Sequence, residues 1–208
     1  TSQDIVININ DLNDEAPVFT SSSSFTADEN QTNIGIATAT DGDGDDVTFG
    51  VYNRNEDDGQ FIQLSTAGYM SFIEAPDYET KSVYIAKIRA SDGTNQTIQD
   101  IRIDVNNLND NSPNITSNSS FTADENQTAI GTVTATDADG NDLTFSISGS
   151  EINIDSSTGV LTFAATPDYE TKSSYSATVT ASDGTNSTTQ DITVAINDLN
   201  DESPVFTS

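Results

Sequence analysis

Acidic side chains return at matching positions in two stretches of this 208-residue sequence. Each stretch contains "ADEN", then an acidic pair in "DGDGD" or "DADGN", then "PDYE" and "ASDG", and the string "LND" stands before, between and after them. Residues at i and i+2 of an extended chain point to the same side, so each acidic pair presents two carboxylates together. Such oxygen ligands suit Ca²⁺, which takes about six to eight of them in flexible geometry, better than the tighter octahedron of Mg²⁺. The pattern therefore predicts calcium binding.

Other chemistry is open to the same carboxylates. A pair could supply the acid and the base or nucleophile of a glycosidase. No pair is singled out for that role and each already has a place in the calcium pattern, so we predict that the protein is not an enzyme. The string "DGDGD" resembles an EF-hand loop, but the closing Glu and the flanking helices are missing, and its later acids Asp45 and Asp46 are expected to be solvated. The chain has no Cys and no His, which excludes disulfides and thiolate or imidazole metal sites.

The net charge of −28, from 34 acidic and 6 basic residues, restricts the partners. Nucleic-acid binding needs Lys and Arg against the phosphates, so neither nucleic acid nor an anionic membrane surface is expected. No apolar run approaches the roughly 20 residues of a membrane-spanning helix. Leu, Ile, Val and Phe make up little more than a fifth of the chain, near the limit at which a highly charged chain stays disordered. Bound cations are expected to offset this repulsion.

An internal repeat organises the chain. The string "FTADENQT" begins at residues 25 and 121, a shift of 96, whereas "PDYETKS" begins at 76 and 167, a shift of 91. The five extra residues of the first copy fall around "NRNEDDG" (53–59), which is expected to be a surface loop. Residues 1–14 match residues 188–201. The predicted organisation is the last strand and linker of a preceding repeat at 1–14, repeats at 15–110 and 111–201, and the start of a further repeat at 202–208.

Alternating apolar and polar residues predict strands in both repeats. In "VYIAKIRAS" (83–91) and "SYSATVTAS" (174–182), every second residue from Tyr84 and from Tyr175 is expected to face a core. The strands that follow carry the same alternation at Ile101, Ile103, Val105, Ile192, Val194 and Ile196. Each repeat has the size of a small β-sandwich. The predicted fold class is all-β, with two tandem seven-stranded, antiparallel Greek-key β-sandwiches, immunoglobulin-like and joined end to end.

The motifs "DEN", "DYE", "LNDNSP", "DAD" and "ASDG", in this order through one repeat, the linker and the next repeat, resemble those of tandem cadherin repeats. The resemblance covers essentially the whole chain, and the cysteine-free acidic composition is typical of bacterial members. It implies three calcium ions at each junction between repeats, fewer at the two ends of this chain, and a place in a large extracellular protein.

The resemblance also implies ligands, carried over position by position. At the central junction they are Glu29, Asp77, Glu79, Asn107, Leu108, Asn109, Asp110, Asn111, Asp137, Asp139, Asn141 and Asp183. At the N-terminal partial junction they are Asp11, Asn13, Asp14, Glu15, Asp41, Asp43 and Asp92. At the C-terminal partial junction they are Glu125, Asp168, Glu170, Asp198, Leu199 and Asp201.

One position departs from the family pattern. The linker acid present at Asp11 and Asp198 is Asn107 in the central copy. An Asn can still offer an oxygen, but it brings no charge. We therefore expect the second ion of the central junction to bind more weakly than at a junction with Asp.

Two functions are compatible with these features. The first is a calcium-stiffened stalk or adhesion segment of a cell-surface protein, with calcium and other adhesion proteins as partners. The second is a calcium-dependent polysaccharide-binding doublet, which the six Tyr and the absence of Trp make less favoured. Both place the chain outside the cell or on its surface.

Overall fold

The computed structural model describes residues 2–10, 12–204 and 206. The chain divides into two compact units, Thr1–Leu108 and Asn109–Ser208. Both units consist of β-strands, apart from one short 3-10 helix in the described part of the first. The all-β prediction is confirmed. In the described part of the chain, no helix has the length and apolar character that crossing a membrane requires.

The elements repeat in the same order in the two units. The first unit contains β1 (Val18–Phe19), β2 (Ser24–Asp28), β3 (Asn33–Ile36), β4 (Ala39–Thr40), β5 (Thr48–Tyr52), the 3-10 helix (Asp58–Phe61), β6 (Ile62–Leu64), β7 (Tyr69–Phe72), β8 (Val83–Ser91) and β9 (Gln96–Asn106). The second contains β10 (Asn114–Ile115), β11 (Ser120–Asp124), β12 (Ala129–Thr132), β13 (Ala135–Thr136), β14 (Thr144–Ile147), β15 (Ile152–Ile154), β16 (Val160–Phe163), β17 (Ser174–Ser182) and β18 (Ser187–Asn197).

Each unit is a sandwich of a four-stranded and a three-stranded sheet. In the first unit the strand orders are β2-β9-β8-β5 and β3-β7-β6, and β1 pairs with β4 beside them. The second unit repeats this as β11-β18-β17-β14, β12-β16-β15 and β10-β13. The seven strands of the two main sheets agree with the predicted sandwich.

The prediction of a wholly antiparallel sandwich is wrong at one ladder in each unit. Strand β2 pairs with β9 in parallel, from Ser24 opposite Arg102 to Asp28 opposite Asn106, and β11 pairs with β18 in the same way. A parallel pair needs a long crossover connection, and here the connection is most of the sandwich itself. Both strands therefore end at the same end of the unit.

The predicted alternation is confirmed by burial. Ala86, Ile88 and Ala90 are fully buried, whereas Ile85, which precedes Ala86, is 53% exposed. Buried residues of β9 and β18 are those expected, namely Ile101, Ile103, Val105, Ile192, Val194 and Ile196. Tyr84 is 8% exposed, but its counterpart Tyr175 is only partly buried.

The assignment of residues 1–14 to the last strand and linker of a preceding repeat stays a prediction. Residues 2–10 carry no strand, and Ile5, Val6, Ile7 and Ile9 are all at least 80% exposed. A strand requires a partner for its backbone groups, and none of the described strands pairs with this segment.

The insertion in the first repeat is partly an exposed loop, as predicted, and partly a segment that packs against the sandwich. Residues 53–56 are exposed as predicted, but Asp57 caps the 3-10 helix and Asp58 begins it. The Asp58 carboxylate accepts the Ile85 backbone N–H at 2.8 Å and forms an ion pair with Lys81. Phe61, at the end of the same helix, meets the Tyr84 ring edge-on at 5.8 Å between centroids. This contact explains why Tyr84 is more buried than Tyr175.

We predict that Asp58→Ala destabilises the first repeat. The change leaves the Ile85 N–H and the Lys81 ammonium without their acceptor, which costs about 1–3 kcal/mol of unfolding free energy. Denaturant unfolding of the chain measures the loss. The matched control is Glu151→Ala, which removes the partner of Lys172 in the second unit. Glu151 is 54% exposed, against 20% for Asp58, so its loss is worth about 0–1 kcal/mol. Equal effects of the two variants would contradict the proposed anchoring.

Candidate metal centre

A buried glutamate lies at one end of each unit. Glu29 and Glu125 are 1% and 2% exposed, and they are the only charged side chains buried to this degree in the described ranges. The two oxygens of Glu29 accept the backbone N–H of Tyr78 at 2.8 Å and of Leu108 at 2.7 Å. A buried charge is costly unless it is hydrogen-bonded, so these bonds hold both segments to the carboxylate. Glu125 repeats both distances with Tyr169 and Leu199.

The parallel ladder places this glutamate beside the linker. Glu29 follows the last residue of β2, and Leu108 lies just after the end of β9, whose direction is the same. Asn30 then turns the chain with a φ of 62°, a left-handed conformation that Asn tolerates better than most residues, and Asn126 does so at 63°. The motif "DEN" thus combines a buried acid with a turn residue.

Further carboxylates gather around each buried glutamate. Oxygens of Glu29 and Glu79 approach within 4.8 Å in the first unit, and those of Glu125, Glu170 and Asp198 do so in the second. Glu170, Asp201 and Glu202 form an overlapping group. The sequence-based ligand set omitted Glu202, although its counterpart Glu15 was included and the acid following Asp201 is visible in the sequence.

The first acid of "DYE" has a different role within its unit. The Asp77 oxygens accept the backbone N–H of Thr80 at 3.2 Å and its hydroxyl at 2.9 Å. Asp168 makes the equivalent bonds with Thr171 at 3.1 and 2.9 Å. These bonds cap the turn that carries Glu79 or Glu170. A calcium-ligand role for Asp77 and Asp168 stays a prediction.

The mutual repulsion of the acids in the C-terminal group affects the pKa of Glu170. The N–H of its own backbone lowers the pKa of Glu170, but desolvation and the charges of Glu125, Asp198 and Asp201 together outweigh it. The pKa of Glu170 is therefore raised above its ordinary value of 4.5. The neighbouring negative charges oppose the ionisation of Glu170. A cation bound near these carboxylates would stabilise their ionised forms.

A second kind of acidic cluster is formed by the motif "DGDGD" (41–45) of the first unit. Oxygens of Asp41, Asp43 and Asp45 lie within 4.8 Å of one another. Asp43 accepts the backbone N–H of Asp14 at 3.0 Å and of Glu15 at 2.8 Å, which attaches the linker to this loop. Asp45 is exposed as expected, yet its carboxylate belongs to the cluster.

The corresponding loop of the second unit is built in the same way. Asp139 accepts the backbone N–H of Asp110 at 3.1 Å and of Asn111 at 2.9 Å. The backbone N–H of Asn141 binds Asp137 at 3.2 Å. One oxygen of Asp137 is buried without a hydrogen-bond partner, as is one of Asp41. A buried carboxylate oxygen that accepts no hydrogen bond is available to ligate a cation.

Glu15 shows how the loop and linker fit each other. Its carboxylate lies over Gly42 and leaves no room for a Cβ there. The second unit has Ala138 at the position of Gly42 and the shorter Asn111 at the position of Glu15. The longer linker side chain, Glu15, is thus paired with a loop that has Gly. The shorter one, Asn111, is paired with a loop that has Ala.

The motif "ASDG" contributes a rigid aspartate. One oxygen of Asp183 accepts the backbone N–H of Thr185 and of Asn186, both at 2.6 Å, and Asp92 does the same with Thr94 and Asn95. Partial burial raises the pKa of Asp183, but the hydrogen bonds from Asn186, Thr185 and Asn109 outweigh it, and the pKa is lowered. The pKa of Asp92 is lowered for the corresponding reasons. Both groups are therefore kept ionised.

The predicted ligands of the central junction are divided between the two units. Glu29, Asp77, Glu79, Asn107 and Leu108 belong to the first unit, and the other central residues to the second. Asn107 is exposed. Asp11, predicted as a ligand of the N-terminal partial junction, lies outside the described residues.

The second unit matches a known domain family. A family model described as "Cadherin domain" covers residues 119–197. Human "Protocadherin Fat 1" is 29% identical over 229 aligned residues, which cover 97% of this chain. "Protocadherin-11 X-linked" from Pongo pygmaeus is 31% identical, again over 97% of this chain. The chain consists of tandem cadherin repeats.

The fold comparison agrees with this assignment. The solved mouse Cadherin-23 EC22-24 superposes with a TM-score of 0.74 at 22% identity, covering 90% of this chain and 68% of that one. This cadherin chain spans only 5% of Protocadherin Fat 1 and 16% of Protocadherin-11 X-linked. The predictions of tandem cadherin repeats, of a place outside the cell and of a protein that is not an enzyme are confirmed.

Two finer predictions receive no support from these relatives. The named relatives are animal proteins, so the bacterial type of repeat stays a prediction. The relatives are cadherins and protocadherins, and nothing in them favours polysaccharide binding.

Cadherin domains bind Ca²⁺ as a rule, and the acidic groups of this chain fit that ion. The donors are carboxylate and carbonyl oxygens, the class that Ca²⁺ prefers. The oxygens of Asp41 and Asp137 that are buried without a hydrogen-bond partner, and the raised pKa of Glu170, are features expected of carboxylates that a cation would stabilise.

We predict that calcium binding at the C-terminal group weakens as the pH falls from 7 towards 5. Because the pKa of Glu170 is raised in the calcium-free fold, a growing fraction binds a proton as the pH falls through it. Calcium must then displace that proton. For the same reason, the contribution of Glu170 to calcium-free stability is greatest at low pH and is lost as the pH rises through its raised pKa.

Calorimetric titrations in two buffers of different ionisation enthalpy measure the protons released. Glu170→Gln, which cannot release a proton, is the control. A proton release on calcium binding that is the same in both proteins at every pH would contradict the role of Glu170.

Proposed function

We propose that the chain is a calcium-stiffened segment of a cell-surface adhesion protein, in which ions bound where successive repeats meet fix the angle between them. The observation that carries the proposal is the attachment of linker to acid cluster within each unit. The outgoing linker binds the buried glutamate through Leu108 or Leu199, and the incoming linker binds the aspartate loop through Asp43 or Asp139. An ion that joined the two kinds of cluster would therefore join two repeats through one short linker.

Charge arithmetic supports three ions at the central junction. The acids carried over from the family pattern are Glu29, Asp77, Glu79, Asp110, Asp137, Asp139 and Asp183. Seven negative charges and the six positive charges of three Ca²⁺ nearly cancel. Without the metal, these carboxylates repel one another, and the repulsion favours separation of the repeats.

The proposal predicts a calcium-dependent change in the spread of molecular dimensions. Small-angle scattering of the chain with calcium should show a narrower distribution of maximal dimensions than with chelator, because ions that bind both repeats restrict their relative motion. Asp110→Ala removes one predicted shared ligand and should require more calcium for the same narrowing. Identical distributions with calcium and with chelator would refute the stiffening role.

Asn107 offers a second test of the proposed function. We predict that Asn107→Asp strengthens the binding of the second calcium ion at the central junction by roughly tenfold, since it adds a charge where Asp11 and Asp198 stand in the other linkers. Calorimetry with calcium measures the change. Asn118→Asp adds the same charge at an exposed position that belongs to none of the acidic groups described above, and it is the matched control. A gain of the same size in both variants would show that net charge, and not position 107, determines the affinity.

A further inference from the structure

The side-chain amide of Asn186 contacts several oxygens of the linker residues Asn109 and Asn111. Its Nδ2 atom lies 3.0 Å from the Asn109 side-chain oxygen, 3.4 Å from the Asn109 carbonyl and 3.2 Å from the Asn111 carbonyl. The same atom is 3.3 Å from Oδ2 of Asp183. One NH₂ group thus faces four oxygens, three of which come from a segment about 75 residues away in the sequence.

Asn95 does the same in the first unit. Its Nδ2 atom lies 3.1 Å from the Asn13 side-chain oxygen, 3.0 Å from the Glu15 carbonyl and 3.4 Å from Oδ2 of Asp92. The arrangement is retained although the linkers differ, with Glu15 in one and Asn111 in the other. Two independent copies of the geometry exclude an accident of one loop.

The backbone fixes where this amide points. The Asn186 N–H donates to Asp183 at 2.6 Å, and the Asn186 carbonyl accepts the Ser182 hydroxyl at 3.0 Å. Asn95 has both bonds, with Asp92 and Ser91, at the same distances. With the turn held on both sides, the short Asn side chain has little freedom to leave the oxygens that it contacts.

We propose that Asn186 and Asn95 are positioning residues, each of which holds the incoming linker on its repeat before calcium binds. The inference rests on the proposed function, because Asn109 and the Asn111 carbonyl are among the predicted calcium ligands. In the calcium-free protein these oxygens face one another without a cation, and the two partly positive hydrogens of the amide offset that repulsion. Calcium then meets oxygens that are already gathered, which reduces the ordering cost of binding.

The identity of the residue follows from this role. An Asp at position 186 has the same shape but would add a carboxylate facing Asp183 and two carbonyls. That arrangement is unfavourable in the absence of a cation and favourable in its presence. A side chain that only filled space would tolerate this replacement, so Asp separates an electrostatic role from a packing role.

The test is amide hydrogen exchange in chelator, measured by NMR at Asp110 and Asn111, whose N–H groups donate to Asp139. We expect Asn186→Ala and Asn186→Asp each to speed their exchange by roughly five- to tenfold, as for the loss of a net hydrogen bond. Exchange at the buried Val179 and Val194 should not change, which shows that the sandwich remains folded. In saturating calcium, Asn186→Asp should regain slow exchange and Asn186→Ala should regain it less.

The reciprocal variant is the matched control. Asn95→Ala should speed exchange at Asp14 and Glu15 and leave Asp110 and Asn111 unchanged, because each amide acts on its own linker. Slow exchange retained by Asn186→Asp in chelator would overturn the inference and indicate packing alone. Unchanged exchange in Asn186→Ala would overturn it as well.

The result that would refute the proposed function differs from the result that would refute the role of Asn186. If the unaltered chain shows no calcium binding in calorimetry, the stiffening role is lost, while the chelator experiment still decides the role of Asn186. If calcium binds and narrows the scattering distribution but Asn186→Ala leaves exchange unaltered, only the present inference is lost.

Discussion

The burial of one carboxylate in each repeat is the constraint from which the rest of the site follows. Glu29 is almost inaccessible to solvent, and its hydrogen bonds come from two backbone segments and not from Lys or Arg. A buried charge with such partners is tolerable only while both segments stay in place. The turn after β7 and the linker after β9 are therefore fixed by the same side chain. In the second repeat, Glu170 lies on the first of the equivalent segments and Asp198 on the second, and both belong to the acidic group around Glu125.

The direction of the first long strand makes this arrangement possible. An antiparallel β2 would end at the far side of β9 and carry Glu29 away from the linker. The parallel ladder instead brings the end of the first strand and the end of the last strand together, although about 80 residues separate Glu29 from Leu108. The loop "DGDGD" and the turn "ASDG" provide the complementary surface for the linker that enters the repeat. Each repeat thus offers one acid cluster to the chain before it and another to the chain after it.

The sequence predicted what depends on local pattern. Alternation identified Ile101 and Ile103 as core residues, and the repeated acids identified Glu125, Glu170 and Asp198 as neighbours. It did not predict the parallel ladder, since alternation is the same for either strand direction. It also missed the anchoring of Asp58, whose partners Lys81 and Ile85 lie 23 and 27 residues away, and the linker contacts of Asn186. Such contacts are set by tertiary packing, for which a single sequence carries no periodic signal.

The parallel ladder also determines how a repeat resists tension. A pull along the chain acts on the start of β2 and on the end of β9, which are opposite ends of two strands that run in the same direction. The backbone hydrogen bonds from Ser24 to Asp28 are then loaded together in shear and are not opened one after another like a zipper. Forced unfolding depends on the barrier to breaking such a set at once. The same strand direction that assembles the acid cluster therefore gives each repeat a mechanical clamp at its termini.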